Sequence, residues 1–158
     1  MAVFQSTSVQ HQQIRNLVTF GDSFTDTNMT LWEKNGSWPL HAAREANLML
    51  YPFAEAGATC SEKVIAMPKL PVQWPYLFEH QLPAYFGKKS LKLDPKETIY
   101  TLWIGTNDLG GEGLLTGAGK AKSDISLVDV TKCMVNWVKV LYDSGARNFL
   151  FQNVSDHL

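Results

Sequence analysis

The sequence predicts an α/β domain, a three-layer α/β/α sandwich around a parallel sheet. Three observations carry that prediction. Two short apolar runs, Leu17-Val18-Thr19-Phe20 and Thr98-Ile99-Tyr100-Thr101-Leu102-Trp103-Ile104, stop at Gly21 and Gly105 and read as buried strands. Segments of helical periodicity separate the strand-like runs, and residues 98–154 read strand, helix, strand, a parallel return whose crossover is right-handed. With 158 residues, 45% of them hydrophobic, the chain can form one sizeable core. A domain of this size buries roughly two-thirds of its unfolded surface without needing staples.

The elements follow in order. Residues 1–16 form a polar N-terminal extension, with Gln10, His11, Gln12, Gln13 and Arg15, and 17–158 read as a single domain. After the first strand, Ser37 suits an N-cap and Pro39 a first turn, and Leu40, Ala43, Asn47 and Leu50 at helical spacing predict a first helix. Residues 51–54 read as a short second strand before Gly57-Ala58-Thr59-Cys60. Residues 68–83 hold four prolines with Trp74, Tyr76 and Phe78 and read as an ordered loop or short helices. The third strand is 98–104. The glycine-rich stretch 110–120 has Ala121 after Lys120, fails the phosphate-loop pattern and reads as a mobile loop. Ser126 with Asp129 resembles a capping box, and Leu127, Val130, Met134, Trp137, Val138 and Leu141 form the stripe of the strongest helix, closed by Gly145. A last strand covers 149–154.

Composition narrows the partners. There are 14 Lys+Arg against 15 Asp+Glu, a net charge of -1, which gives no electrostatic reason for nucleic acid or an anionic membrane. No run approaches the roughly 18 apolar residues of a membrane span, and the polar start does not read as a signal peptide. Cys60 and Cys133 are too few and too far apart for a disulfide framework and are expected as two buried thiols. Sequons at Asn28, Asn35 and Asn153 suit a secreted protein.

Ligands of open parallel sheets bind beyond the carboxyl ends of the strands, and the polar clusters fall there. Gly21, Asp22, Ser23, Asp26 and Asn28 follow the first strand, Gly57, Ala58 and Thr59 the second, Gly105, Thr106, Asn107 and Asp108 the third. Ser23, exposed by a glycine turn, is a candidate nucleophile. The N–H of Gly57 can approach a ligand closely, Asn107 offers an amide donor, and with the Ser23 N–H they form a three-donor oxyanion hole. Each residue alone also reads as turn chemistry; the conjunction at three strand ends favours the site. Asp22, Asp26 and Asn28 miss the calcium-loop pattern because Phe24 stands at its third position, so a hydrogen-bonded loop is expected and no metal. A Gly-x-Ser-x-Gly elbow is absent, which disfavours the α/β-hydrolases.

Phe20-Gly21-Asp22-Ser23-Phe24-Thr25-Asp26, Ala56-Gly57-Ala58-Thr59-Cys60 and Trp103-Ile104-Gly105-Thr106-Asn107-Asp108-Leu109-Gly110 resemble, in order, the three blocks of the GDSL, or SGNH, hydrolase superfamily. The resemblance is to its fungal acetylesterase-like carbohydrate esterases, and Gly145-Ala146-Arg147-Asn148-Phe149 is similar to that branch's entry into the fourth strand. It implies a flavodoxin-like parallel sheet, Ser23 as nucleophile, Gly57 and Asn107 as oxyanion donors, and Asp26 as a neighbour of open role. It implies a hydrolase of short-acyl esters on small molecules or oligosaccharides, without cofactor, in a family typically secreted; without a signal peptide the alternative is cytoplasmic. The family's fourth block, Asp-x-x-His, is not in this chain, which resembles an N-terminal half to two-thirds of an esterase lacking the fifth strand and C-terminal helix. His157, just past the last strand, is the substitute base to test, whereas His41 and His80 read as surface residues. Losing a triad member leaves only about 10³- to 10⁴-fold catalysis over water in serine proteases, so an inert fragment or carbohydrate-binding remnant is the alternative. The strand 149–154 would then expose an edge open to pairing.

Overall fold

The computed structural model describes residues 13–28, 36–66, 74–110, 113–115 and 124–154. Four parallel strands, β1 (Asn16–Gly21), β2 (Met49–Pro52), β3 (Thr98–Trp103) and β4 (Asn148–Phe151), form one sheet in the order β2-β1-β3-β4. Helix α1 (Trp38–Glu45) joins β1 to β2. A π-helical turn, Leu77–Gln81, runs into α2 (Leu82–Gly87); α3 (Thr106–Leu109) follows β3, and α4 (Leu127–Asp143) leads to β4.

Register decides which residues share a face. Phe20 pairs with Leu102 and Leu102 with Phe151, while Val18 pairs with Tyr100 and Tyr100 with Phe149. This face carries the core. Trp137 of α4, fully buried, packs edge-on against Phe20, Phe149 and Phe151 at 5.5 to 5.7 Å, and Tyr85 of α2 packs edge-on against Phe20, Phe53 and Tyr100 at 5.4 to 5.9 Å. Leu17, Thr19, Ile99, Thr101 and Trp103 point to the other face, and α1 packs beside β1 and β2 with Pro39 and Ala43 buried outside the main cluster. The helices thus flank the sheet, as expected.

Several boundaries differ from expectation. The first helix ends at Glu45 because Asn47 turns left-handed (φ 52°) and the Leu48 N–H bonds back to the Ala43 carbonyl, a Schellman closure that an asparagine tolerates. Leu50 therefore belongs to β2, which lies two residues earlier than the expected 51–54. The last strand is 148–151 rather than 149–154. In α4 the Ser126–Asp129 capping box forms, and Val130, Trp137 and Leu141 are buried, but Leu127, the first residue of the helix, is exposed.

Cys60 and Cys133 are not free thiols: they form a disulfide across 73 residues of sequence. The crossover that carries α4 back over the sheet brings Cys133 to the loop after β2, a proximity that linear spacing does not register. Among the described residues no helix is long and apolar enough to cross a membrane. Most of 110–120, residues 68–73 and the N-terminal residues 1–12 lie outside the described residues, as does His157.

Candidate active site

β1 ends where only glycine fits. Gly21 has φ +146°, and a Cβ there would lie 2.2 Å from the Trp103 carbonyl oxygen. Its N–H donates to Gln81 Oε1 (3.0 Å) and its carbonyl accepts from Gln81 Nε2 (2.8 Å). Gln81 is fully buried and also reaches the Pro75 carbonyl. Sequence reasoning passed over it; a lone amide between apolar Leu77, Phe78 and Leu82 was the available signal.

The following turn is organised by Asp22. Its main-chain carbonyl accepts the N–H groups of Thr25 and Asp26, its carboxylate Oδ1 accepts that of Phe24 (3.1 Å), and its own N–H donates to Trp103. Ser23 is the exception: half-exposed, it has neither an acceptor for its N–H nor a partner for its hydroxyl among the described residues.

The second loop repeats this pattern. The Glu55 N–H donates to Gly21, the Ala56 N–H to Asp26 Oδ2 (2.9 Å) and the Ala58 N–H back to Glu55. Gly57 between them has φ +81° with Ala56 at negative φ, a type II turn that calls for glycine at its third position. Its N–H is the one amide of this turn without an acceptor among the described residues.

The third loop closes on the second. Asn107 Nδ2 donates to the Ala58 carbonyl (2.9 Å), leaving one amide proton to give, and Asp108 accepts the Cys60 N–H on both carboxylate oxygens. The strand-end loops bearing Ser23, Gly57 and Asn107 are therefore joined by direct hydrogen bonds. Burial pushes the Asp22 carboxyl up to about 6, against the pull of the Phe24 amide. Asp108 is pushed up to about 7, first by burial, with the charge of Asp22 adding to it and the Cys60 amide opposing. Asp26 spends its second carboxylate oxygen on the Asn28 N–H (2.8 Å), so the acidic cluster is a hydrogen-bonded loop.

Aromatic rings edge the site. Phe24, 42% exposed, stacks on Trp103 at 5.1 Å, and the Trp74 ring stands 3.6 Å from where a Cβ on Gly57 would be. The two described histidines have other partners: His80 Nδ1 lies 3.1 Å from Glu55 Oε1, and His41 Nδ1 lies 2.9 Å from Arg44.

The sequence profile of the family described as GDSL-like lipase/acylhydrolase matches residues 17–154, all four strands and the three loops together. The chain belongs to this family. Among curated proteins it is 26% identical to an acetylesterase of Hypocrea jecorina over 171 residues, covering 90% of this chain and 49% of that protein. It is 25% identical to an acetylesterase of Thermothelomyces thermophilus, covering 87% and 52%. It is 26% identical to the thermolabile hemolysin of Vibrio parahaemolyticus serotype O3:K6, covering 94% and 36%. A solved carbohydrate esterase, described as showing divergent catalytic and non-catalytic binding functions in its active site, shares the fold at TM-score 0.50 and 17% identity, covering 87% of this chain and 45% of that one. The chain thus spans about half the length, or less, of these curated relatives.

Proposed function

We propose that this GDSL chain carries the nucleophile and oxyanion hole of a serine esterase acting on short-acyl esters, acetylated carbohydrate foremost. The observation that carries the reading is the pair of unclaimed N–H groups at Ser23 and Gly57, each flanked by amides already bonded, beside the spare amide proton of Asn107. Ser23 Oγ attacks the acyl carbonyl, its proton passes to a base, and the oxyanion is held by these three donors. The alcohol leaves with that proton, and water then releases the acyl group. One such donor is typically worth about 2.7 to 4 kcal/mol in the transition state. The acetylesterase relatives support the acyl group, and the exposed face of Phe24 beside Ser23 suits the apolar face of a sugar ring. The disulfide suits an oxidising compartment, so the proposed location is extracellular.

A second reading, a carbohydrate-binding chain without turnover, is favoured by one observation: among the described residues no histidine partners Ser23. A serine without an adjacent base is a poor nucleophile. Incubation with a serine-directed fluorophosphonate, read by intact mass beside Ser23→Ala, separates the two. Labelling of the native chain alone supports the esterase and makes His157 the first base to test; an unlabelled native chain supports the second reading.

A further inference from the structure

We infer that Asp26 is a positioning residue that aims the Gly57 N–H at the reacting carbonyl. The inference rests on the esterase reading and gives a role to a side chain that makes no contact with the acyl group itself. Asp26 is buried in the loop after β1, yet it takes the Ala56 N–H across 30 residues of sequence at 2.9 Å while its other oxygen takes the N–H of Asn28. The turn Glu55–Ala58 is therefore pinned at both ends of its glycine. Asp26 holds the amide before Gly57, and Asn107 holds the carbonyl after it. Each peptide plane is rigid, and the plane that carries the Gly57 N–H lies between the Glu55–Ala56 plane, held by Asp26, and the Gly57–Ala58 plane, held by the Ala58 N–H bond to the Glu55 carbonyl, which leaves that N–H little freedom of direction. The bond from Asp26 to Ala56 also fixes the distance between the Ser23 loop and that donor, because Asp26 lies only three residues beyond Ser23 in a turn closed by the Asp22 carbonyl.

The role needs two acceptor oxygens on one side chain. An asparagine would place an NH2 group against one of the two N–H donors and break that bond, whichever way it turned. Asp26→Asn and Asp26→Ala are therefore compared with the native chain in hydrolysis of 4-nitrophenyl acetate, well below the melting temperature, with Ser23→Ala as control. Hydrogen exchange of the Ala56 and Gly57 amides is measured in parallel. The expected result is a fall in kcat of about ten- to hundredfold with KM within about twofold, and faster exchange at Ala56 in Asp26→Ala, which keeps neither acceptor. Loss confined to KM, or unchanged kcat, overturns the assignment. If native turnover is absent or survives Ser23→Ala, it is the esterase reading that fails. The exchange data then decide Asp26 alone, and unchanged protection at Ala56 in Asp26→Ala overturns its part in fixing the turn.

Discussion

Asp108 holds the backbone N–H of Cys60 on both carboxylate oxygens, at 3.0 and 3.1 Å, so one buried acid secures the loop that the disulfide anchors from its other side. Its neighbour in charge is Asp22, and both are pushed above the 3.8 of an ordinary aspartate, to about 7 and about 6.

The folded state therefore holds protons that the unfolded chain has released. The stabilisation carried by the protonated pair is complete below about pH 4 and is lost as pH rises through 6 to 7. Asp108→Asn, neutral at every pH, removes the larger share. Thermal melts from pH 5 to 8 should show a native Tm that falls across this range relative to the variant, by about 5 °C or more. Parallel curves would mean that the pair ionises in the folded protein as it does in water.

Removing the Cys60–Cys133 link should cost about 4 kcal/mol in the chain-entropy account of a 73-residue separation. That corresponds to a Tm lower by about 10 °C in the double variant Cys60→Ser, Cys133→Ser, and in the native chain after reduction. A melt insensitive to reductant would show that the loop is held by Asp108 and its neighbours alone.

Two glycines of positive φ predict different outcomes. Alanine at Gly57 meets ordinary contact distance from Trp74 and suffers only backbone strain, roughly 1 to 2 kcal/mol. Alanine at Gly21 would drive its Cβ to 2.2 Å from the Trp103 carbonyl oxygen and part β1 from β3. Gly57→Ala is expected to fold with reduced turnover and Gly21→Ala to be recovered largely unfolded, as circular dichroism would report. Equal stability of the two would contradict the contact at Trp103.

Among the described residues β4 is paired on one side only, and Leu150 and Phe151 on it are 44% and 45% exposed. An open strand edge is a template for another. Light scattering should show mass rising with concentration in the native chain and a monomer in Leu150→Lys. A native monomer at every concentration would rule this pairing out.

Much of this was legible in the sequence because local chemistry writes itself locally. The runs ending at Gly21 and Gly105, the Ser126–Asp129 cap and the three polar clusters each declare an element or a strand end within a few residues. What stayed hidden depends on partners far along the chain. Gln81 is an ordinary glutamine until Gly21 is laid against it, and Cys133 an ordinary buried cysteine until α4 crosses the sheet. Asp26 was visible as a member of the first cluster, but the bond that gives it a task, to Ala56, has no counterpart in residue spacing. Asn47 misled for a related reason: it kept the helical rhythm while its backbone left the helix.

The bonds from Asp26 to Ala56, from Asn107 to Ala58 and from Asp108 to Cys60 fasten ends, not lengths. The chain between those ends can therefore grow or shrink at its surface connectors without moving the three proposed donors. The exposed connector near Ser90, between α2 and β3, is such a place. Doubling a flexible loop costs only about 0.6 kcal/mol of closure entropy. This protein should accept an epitope tag or a small inserted domain there, and related sequences should be matched by their three short blocks in order, with free spacing between them.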